Sequence, residues 1–176
     1  LIAGVKFLID SIDKEFIIVC HVGNHSRSTK RVHHSNEQGN SCEYFMYHNL
    51  QWIFRENKNV TFIIAEGYHT YLSIYDYTIR FHHGHNIQYN GGMGGPTISL
   101  NKAIGNWNEA RYAHLDVLGH FHSMMNTGKA IINGSLIGYS PYAISIKVKM
   151  EKPRQKFFLY TSKGEVIEEC PIFLDS

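Results

Sequence analysis

The chain has 176 residues, 43% apolar and 18% charged, which predicts one folded domain with a sizeable core and excludes a disordered tail. It holds no run of about 18 apolar residues, so no membrane-spanning helix is expected, and a formal charge of +2 is too mild to indicate nucleic acid by itself. Cys20, Cys42 and Cys170 form no Cys-x-x-Cys pair, so neither a zinc ribbon nor a disulfide framework follows, and a reducing cytoplasmic setting is the simplest expectation.

The opening run LIAGVKFLI is interrupted by Lys6 and followed by Asp10 with no small-residue cleavage site, so a signal peptide is not expected. Val5, Leu8, Ile9 and Ile12 at helical spacing predict the end of a helix over 4–12. FIIVC, Phe16 to Cys20, reads as a buried parallel strand ending in a polar turn, His21 to His25. Residues 26–42 are polar, carry Arg27, Lys30 and Arg31, and predict a mobile surface loop. Tyr44, Tyr47, Leu50, Ile53 and Phe54 predict an amphipathic helix over 43–56. Strands are predicted at 60–65, 69–74 and 78–82, then a glycine-dense loop over 84–95 closed by Pro96. A helix over 98–107 follows, then strands at 113–118, 130–132, 143–150 and 156–160. The order is that of an α/β protein, whose sites gather at strand ends.

Histidine occurs 12 times, and three segments repeat one design in which an apolar strand ends and glycine and histidine follow. They are Val22-Gly23-Asn24-His25, Phe81-His82-His83-Gly84-His85 and Leu118-Gly119-His120-Phe121-His122. Histidine is the commonest metal ligand near neutral pH, Asn24 offers a neutral oxygen, and glycine lets the backbone approach closely. On an extended backbone His120 and His122, two residues apart, point to one face.

Gly23-Asn24-His25, His83-Gly84 and Gly119-His120-Phe121-His122 resemble the last three motifs of the calcineurin-like metallophosphoesterases, Gly-Asn-His-Asp/Glu, His-Gly and Gly-His-x-His. Asn133 to Leu136 and Tyr142-Ala143 look like the closing strand of that family's domain, and the texture is most similar to its phage and prophage members. The resemblance covers residues 5–150 and implies a four-layer αββα sandwich, here one domain over 1–176. It implies that Asn24, His83 and His120 bind the second ion of a two-metal site and His122 the first. His25 would contact the phosphate and assist the leaving oxygen. Two cations about 3.5–4 Å apart clamp a phosphoryl group and hold a bridging hydroxide. Manganese suits such a donor set best, with iron, zinc, nickel and magnesium as alternatives.

Two departures accompany the resemblance. The family's Asp-x-His and Gly-Asp-x-x-Asp motifs do not occur in the 22 residues before Gly23, so the domain is expected to be N-terminally incomplete, with the motifs upstream of Leu1 or absent. With only part of the ligand set, weak metal occupancy of the 176-residue chain is expected. Ser26 also stands where the family has an acid that orients the histidine, and the neighbouring Arg27 is a candidate phosphate contact, counted with His25 as catalytic. His82 and His85 compete with His83, whereas His33, His34, His48, His69 and His114 read as surface or core histidines. Gly91 to Gly95 lacks the Lys-Ser/Thr of a P-loop and reads as a flexible substrate-side loop. Tyr89, Trp107 and Tyr139 are each candidates for stacking on a nucleobase or for core packing. The expected function is hydrolysis of a phosphodiester (DNA, RNA or a nucleotide), the alternative a non-catalytic metal- or partner-binding remnant.

Overall fold

The computed structural model describes residues 1–34, 36–88 and 95–174. The chain forms two compact units, Leu1–Thr70 and Tyr71–Ser176.

In the first unit, α1 (Ile2–Ser11) precedes β1 (Phe16–Cys20), which pairs in parallel with β2 (Val60–Ile64), from Phe16 opposite Val60 to Cys20 opposite Ile64. Between the strands lies α2 (Cys42–Ile53), started by Ser41, whose hydroxyl accepts from the Glu43 N–H at 3.2 Å. Cys20, Leu50 and Phe62 form the core, with Val5, Ile18, Tyr47 and Ile64 packed against it. Burial pushes the Cys20 thiol up to about 11, so it stays protonated at neutral pH. The polar segment over 26–42 contains a 3-10 turn, Gln38–Asn40, and is tied at its ends, where the Cys42 N–H donates to the Ser26 carbonyl at 3.0 Å.

The second unit is built on a five-stranded sheet of order β3-β4-β5-β7-β6. Its strands are β3 (Thr70–Ile74), β4 (Tyr77–His82), β5 (Leu115–Leu118), β6 (Met125–Asn126) and β7 (Ala130–Ile132). The β4–β5 and β5–β7 pairs are parallel, and β6 runs antiparallel to β7. Side chains alternate across this sheet. Leu118, Ala130 and Ile132 pack with Leu100 and Ile104 of α3 (Thr97–Ala110) on one face. Ile79, Leu115 and Ile131 pack on the other face with Phe158 and Tyr160 of β8 (Arg154–Tyr160) and Val166 of β9 (Val166–Phe173), the two strands of an antiparallel hairpin.

The α/β class expected from the sequence is the one the chain adopts. One expected element is corrected: 143–150 is not a strand. Residues Pro141–Ser145 form α4, with the Ser140 hydroxyl accepting from the Ala143 N–H at 3.3 Å and proline in the first turn. That local start signal outweighs the β-branched residues that follow. β6 and β9 have no counterpart in the sequence reading; Pro171 inside β9 hides its strand pattern. No helix among the described residues is long and apolar enough to cross a membrane.

Candidate metal centre

β4 and β5 end at the same level, because His82 pairs with Leu118 in a parallel register. The Gly119 N–H donates to the His83 carbonyl at 3.2 Å, stitching the two segments just beyond the sheet. There three imidazoles meet. Ring centroids are 5.2 Å apart for His83 and His120, 5.4 Å for His83 and His85, and 6.3 Å for His85 and His120. All three residues are partly buried. Their ligand nitrogens do not all lie within 4.8 Å of one another, so the rings border a shared space rather than close on one point.

Gly84 makes this approach possible. Its φ is +107°, and a Cβ there would stand 3.1 Å from Leu118 Cδ1, 3.2 Å from His120 Cβ and 3.3 Å from the Gly119 carbonyl. Gly84→Ala therefore combines backbone strain with crowding, and is expected to cost about 1–3 kcal/mol. Urea unfolding of the variant measures this; an unchanged midpoint would mean that the close approach is not required.

The expectation that His120 and His122 share a face of an extended chain is corrected. β5 stops at Leu118, and both histidines adopt left-handed backbone, with φ of 69° and 56°. The Phe121 N–H turns back to the Gly119 carbonyl at 2.8 Å, and Phe121 packs against the core cluster beside α3. His120 meets His83 and His85; His122 lies against Tyr142, ring centroids 5.6 Å apart. Non-glycine residues in this region cost about 1–2 kcal/mol each and cluster at functional sites.

Beneath the histidines lies a buried charged group absent from the sequence reading. Arg80 and Asp116 are register partners and form a two-pronged ion pair, Nε–Oδ1 2.7 Å and Nη2–Oδ2 2.9 Å, with side chains 0% and 1% exposed. His82 Nε2 lies 3.2 Å from Asp116 Oδ1, and its ring meets Trp107 edge-on at 5.1 Å. Burial pushes the His82 imidazole down, opposed by its Asp116 partner. Of the three neighbouring histidines, His82 thus belongs to the core, whereas His83 and His85 face the cluster. The signal for the ion pair was present: charged residues in otherwise apolar strands, TIRFH and LDVL. Trp107, a stacking candidate, packs against Arg80 and His82. Tyr139 is 44% exposed, and Tyr89 and Gly91 to Gly94 lie outside the described residues.

Asn24, His25 and Arg27 belong to the first unit, in the turn after β1. The Gly23 N–H donates to Glu43 Oε2 at 2.6 Å, and the Ser26 and Ser41 hydroxyls are 2.7 Å apart. Arg27 Nη1 donates to the Asn24 carbonyl. The first turn of α2 therefore holds the backbone that presents a partly buried Asn24 and an exposed His25. Ser26 is engaged by Ser41, which is a different task from orienting His25 as the acid of the resembled family would.

The donor chemistry of the second unit fits a divalent cation, since imidazoles suit zinc, iron or nickel, and Gly84 shapes the space they border. The α/β fold is similar to that of solved phosphoesterases. It matches an archaeal phosphodiesterase over 97% of this chain and 90% of that one, with 15% identity and a TM-score of 0.51. Vps29 of Entamoeba histolytica, crystallised with Zn2+, is similar over 90% of this chain and 99% of that one (14% identity, TM-score 0.44). A predicted phosphoesterase of Streptococcus pneumoniae TIGR4 is similar over 93% and 99% (12% identity, TM-score 0.36). No protein-family model and no curated protein matches the sequence.

Proposed function

We infer that the protein is a metal-dependent phosphoesterase that hydrolyses phosphodiester bonds, with His83, His120 and His122 among the ligands of a two-metal centre. The observation that carries this reading is the convergence of His83, His85 and His120 where two parallel strands end side by side. Divalent cations, when bound, neutralise phosphoryl oxygens and acidify water. The imidazole donors add no negative charge, so the site stays attractive to an anionic ester. Asn24 supplies a neutral oxygen donor, on a turn held by Glu43 and Ser41. His25 contacts the phosphate and, when protonated, hands its proton to the leaving oxygen. Arg27 steadies that turn through the Asn24 carbonyl and adds positive charge for the phosphate.

Removing metal tests the reading. Treatment of the full-length protein with EDTA is expected to reduce hydrolysis of bis(p-nitrophenyl) phosphate to the uncatalysed rate, and Mn2+ to restore it. Turnover that survives exhaustive chelation argues against metal-dependent chemistry. Metal binding without turnover of any phosphodiester points instead to a binding module.

A further inference from the structure

A cavity of about 690 Å³ opens beside the histidine cluster, wholly within the second unit, with His85 and His120 at its edge. Its volume is that of a small-molecule site. Phe121, Met124, Met125, Tyr142 and Ile146 are among the residues that line it, and Lys147 and Lys149 supply cations. Glu151 also lines it, but its carboxylate is taken up by Arg154, Nη2–Oε1 2.7 Å, and by the Met124 N–H at 3.0 Å.

We propose that this cavity binds the aromatic arm of a small phosphate ester, of nucleotide size, and that Lys147 is a specificity residue that grips the ester's anionic part. The assignment rests on the phosphoesterase reading, because it places the phosphate next to His85 and His120. Aromatic rings and methionine thioethers form a polarisable surface suited to a flat ring. A nucleic-acid polymer calls for a long row of phosphate contacts, whereas this site is a bounded cavity with two lysines.

Lys147 carries a second signature. The chain leaves α4 through a Schellman closure, the Val148 N–H donating to the Ala143 carbonyl and the Lys147 N–H to the Ile144 carbonyl, both at 3.1 Å. Lys147 takes the left-handed position of that closure, with φ of 58°, where glycine is the least strained residue. Lysine holds this position although glycine would relieve the backbone, and Lys147 lines the cavity.

The position makes a test that separates structure from function. With Mn2+ present, titration calorimetry of the full-length protein is expected to show adenosine 5′-monophosphate binding at least 10-fold more tightly than ribose 5-phosphate. Lys147→Gly is expected to weaken the nucleotide about 10-fold while leaving Tm unchanged or raised, since glycine relieves the backbone. Tyr142→Ala, at a 45% exposed position, is expected to erase the preference for the nucleotide. Equal binding of the two probes, or a Lys147→Gly variant with native affinity, overturns the assignment. Affinity that climbs with oligonucleotide length and collapses with salt also overturns it, in favour of a polymer substrate. Selective binding of the nucleotide by a protein that hydrolyses no ester would leave the cavity assignment standing and remove the phosphoesterase reading instead.

Discussion

Replacing His120 by glycine is expected to reduce Mn2+-dependent hydrolysis of bis(p-nitrophenyl) phosphate by more than about 100-fold, since even groups that only support a ligand are worth about 10–100-fold. The imidazole of His120 is part of the cluster, its ring centroid 5.2 Å from that of His83 and 6.3 Å from that of His85. Glycine is the informative replacement. At φ of 69° the native residue is strained by about 1–2 kcal/mol relative to glycine, and this relief offsets part of the packing lost with the ring. Stability is therefore expected to stay within about 1 kcal/mol of the native protein, measured by urea unfolding. Native turnover in this variant would remove His120 from the site; a collapse of stability would show instead that its ring serves the core.

Asp116→Ala is expected to have the largest effect on stability, a loss of about 3–5 kcal/mol, because it leaves the Arg80 guanidinium buried without its counter-charge. Both side chains are almost wholly out of solvent, so water cannot replace the lost partner. His82 loses its contact with the Asp116 carboxylate as well. Asp116→Asn, which keeps the shape and one acceptor, is expected to fall between the native protein and Asp116→Ala. The double variant Arg80→Met/Asp116→Leu removes both charges and is expected to recover most of the loss. Trp107 lies 5.1 Å from the Arg80 guanidinium, so its fluorescence reports unfolding of this region directly. A single Asp116→Ala variant with native stability would mean that the pair contributes nothing to the core.

Much of the second unit was legible because its signals are local. The stretches over 78–82, 113–118 and 130–132 alternate side chains between two buried faces, and glycine or asparagine follows each within two residues. The helix α2 was legible for the same reason, since Tyr44, Tyr47, Leu50, Ile53 and Phe54 recur at three- and four-residue spacing. The segment over 143–150 misled because its isoleucines and valine favour a strand, whereas Ser140 and Pro141 sit just before it and begin a helix. β9 was hidden because Pro171 breaks its strand pattern, and its pairing with β8 is what makes it a strand.

The sequence by itself determined the α/β alternation and placed histidine and glycine at the ends of apolar strands, since both follow from short-range pattern and backbone chemistry. Which of His82, His83 and His85 enters the core was decided only by tertiary structure. The parallel register sets Asp116 opposite Arg80, 36 residues away, and draws His82 to the same side of the sheet. The left-handed backbone at His120 and His122 was likewise beyond local rules, which disfavour it for histidine. It persists because Phe121 between them is held in the core and Gly84 opposite leaves room for His120.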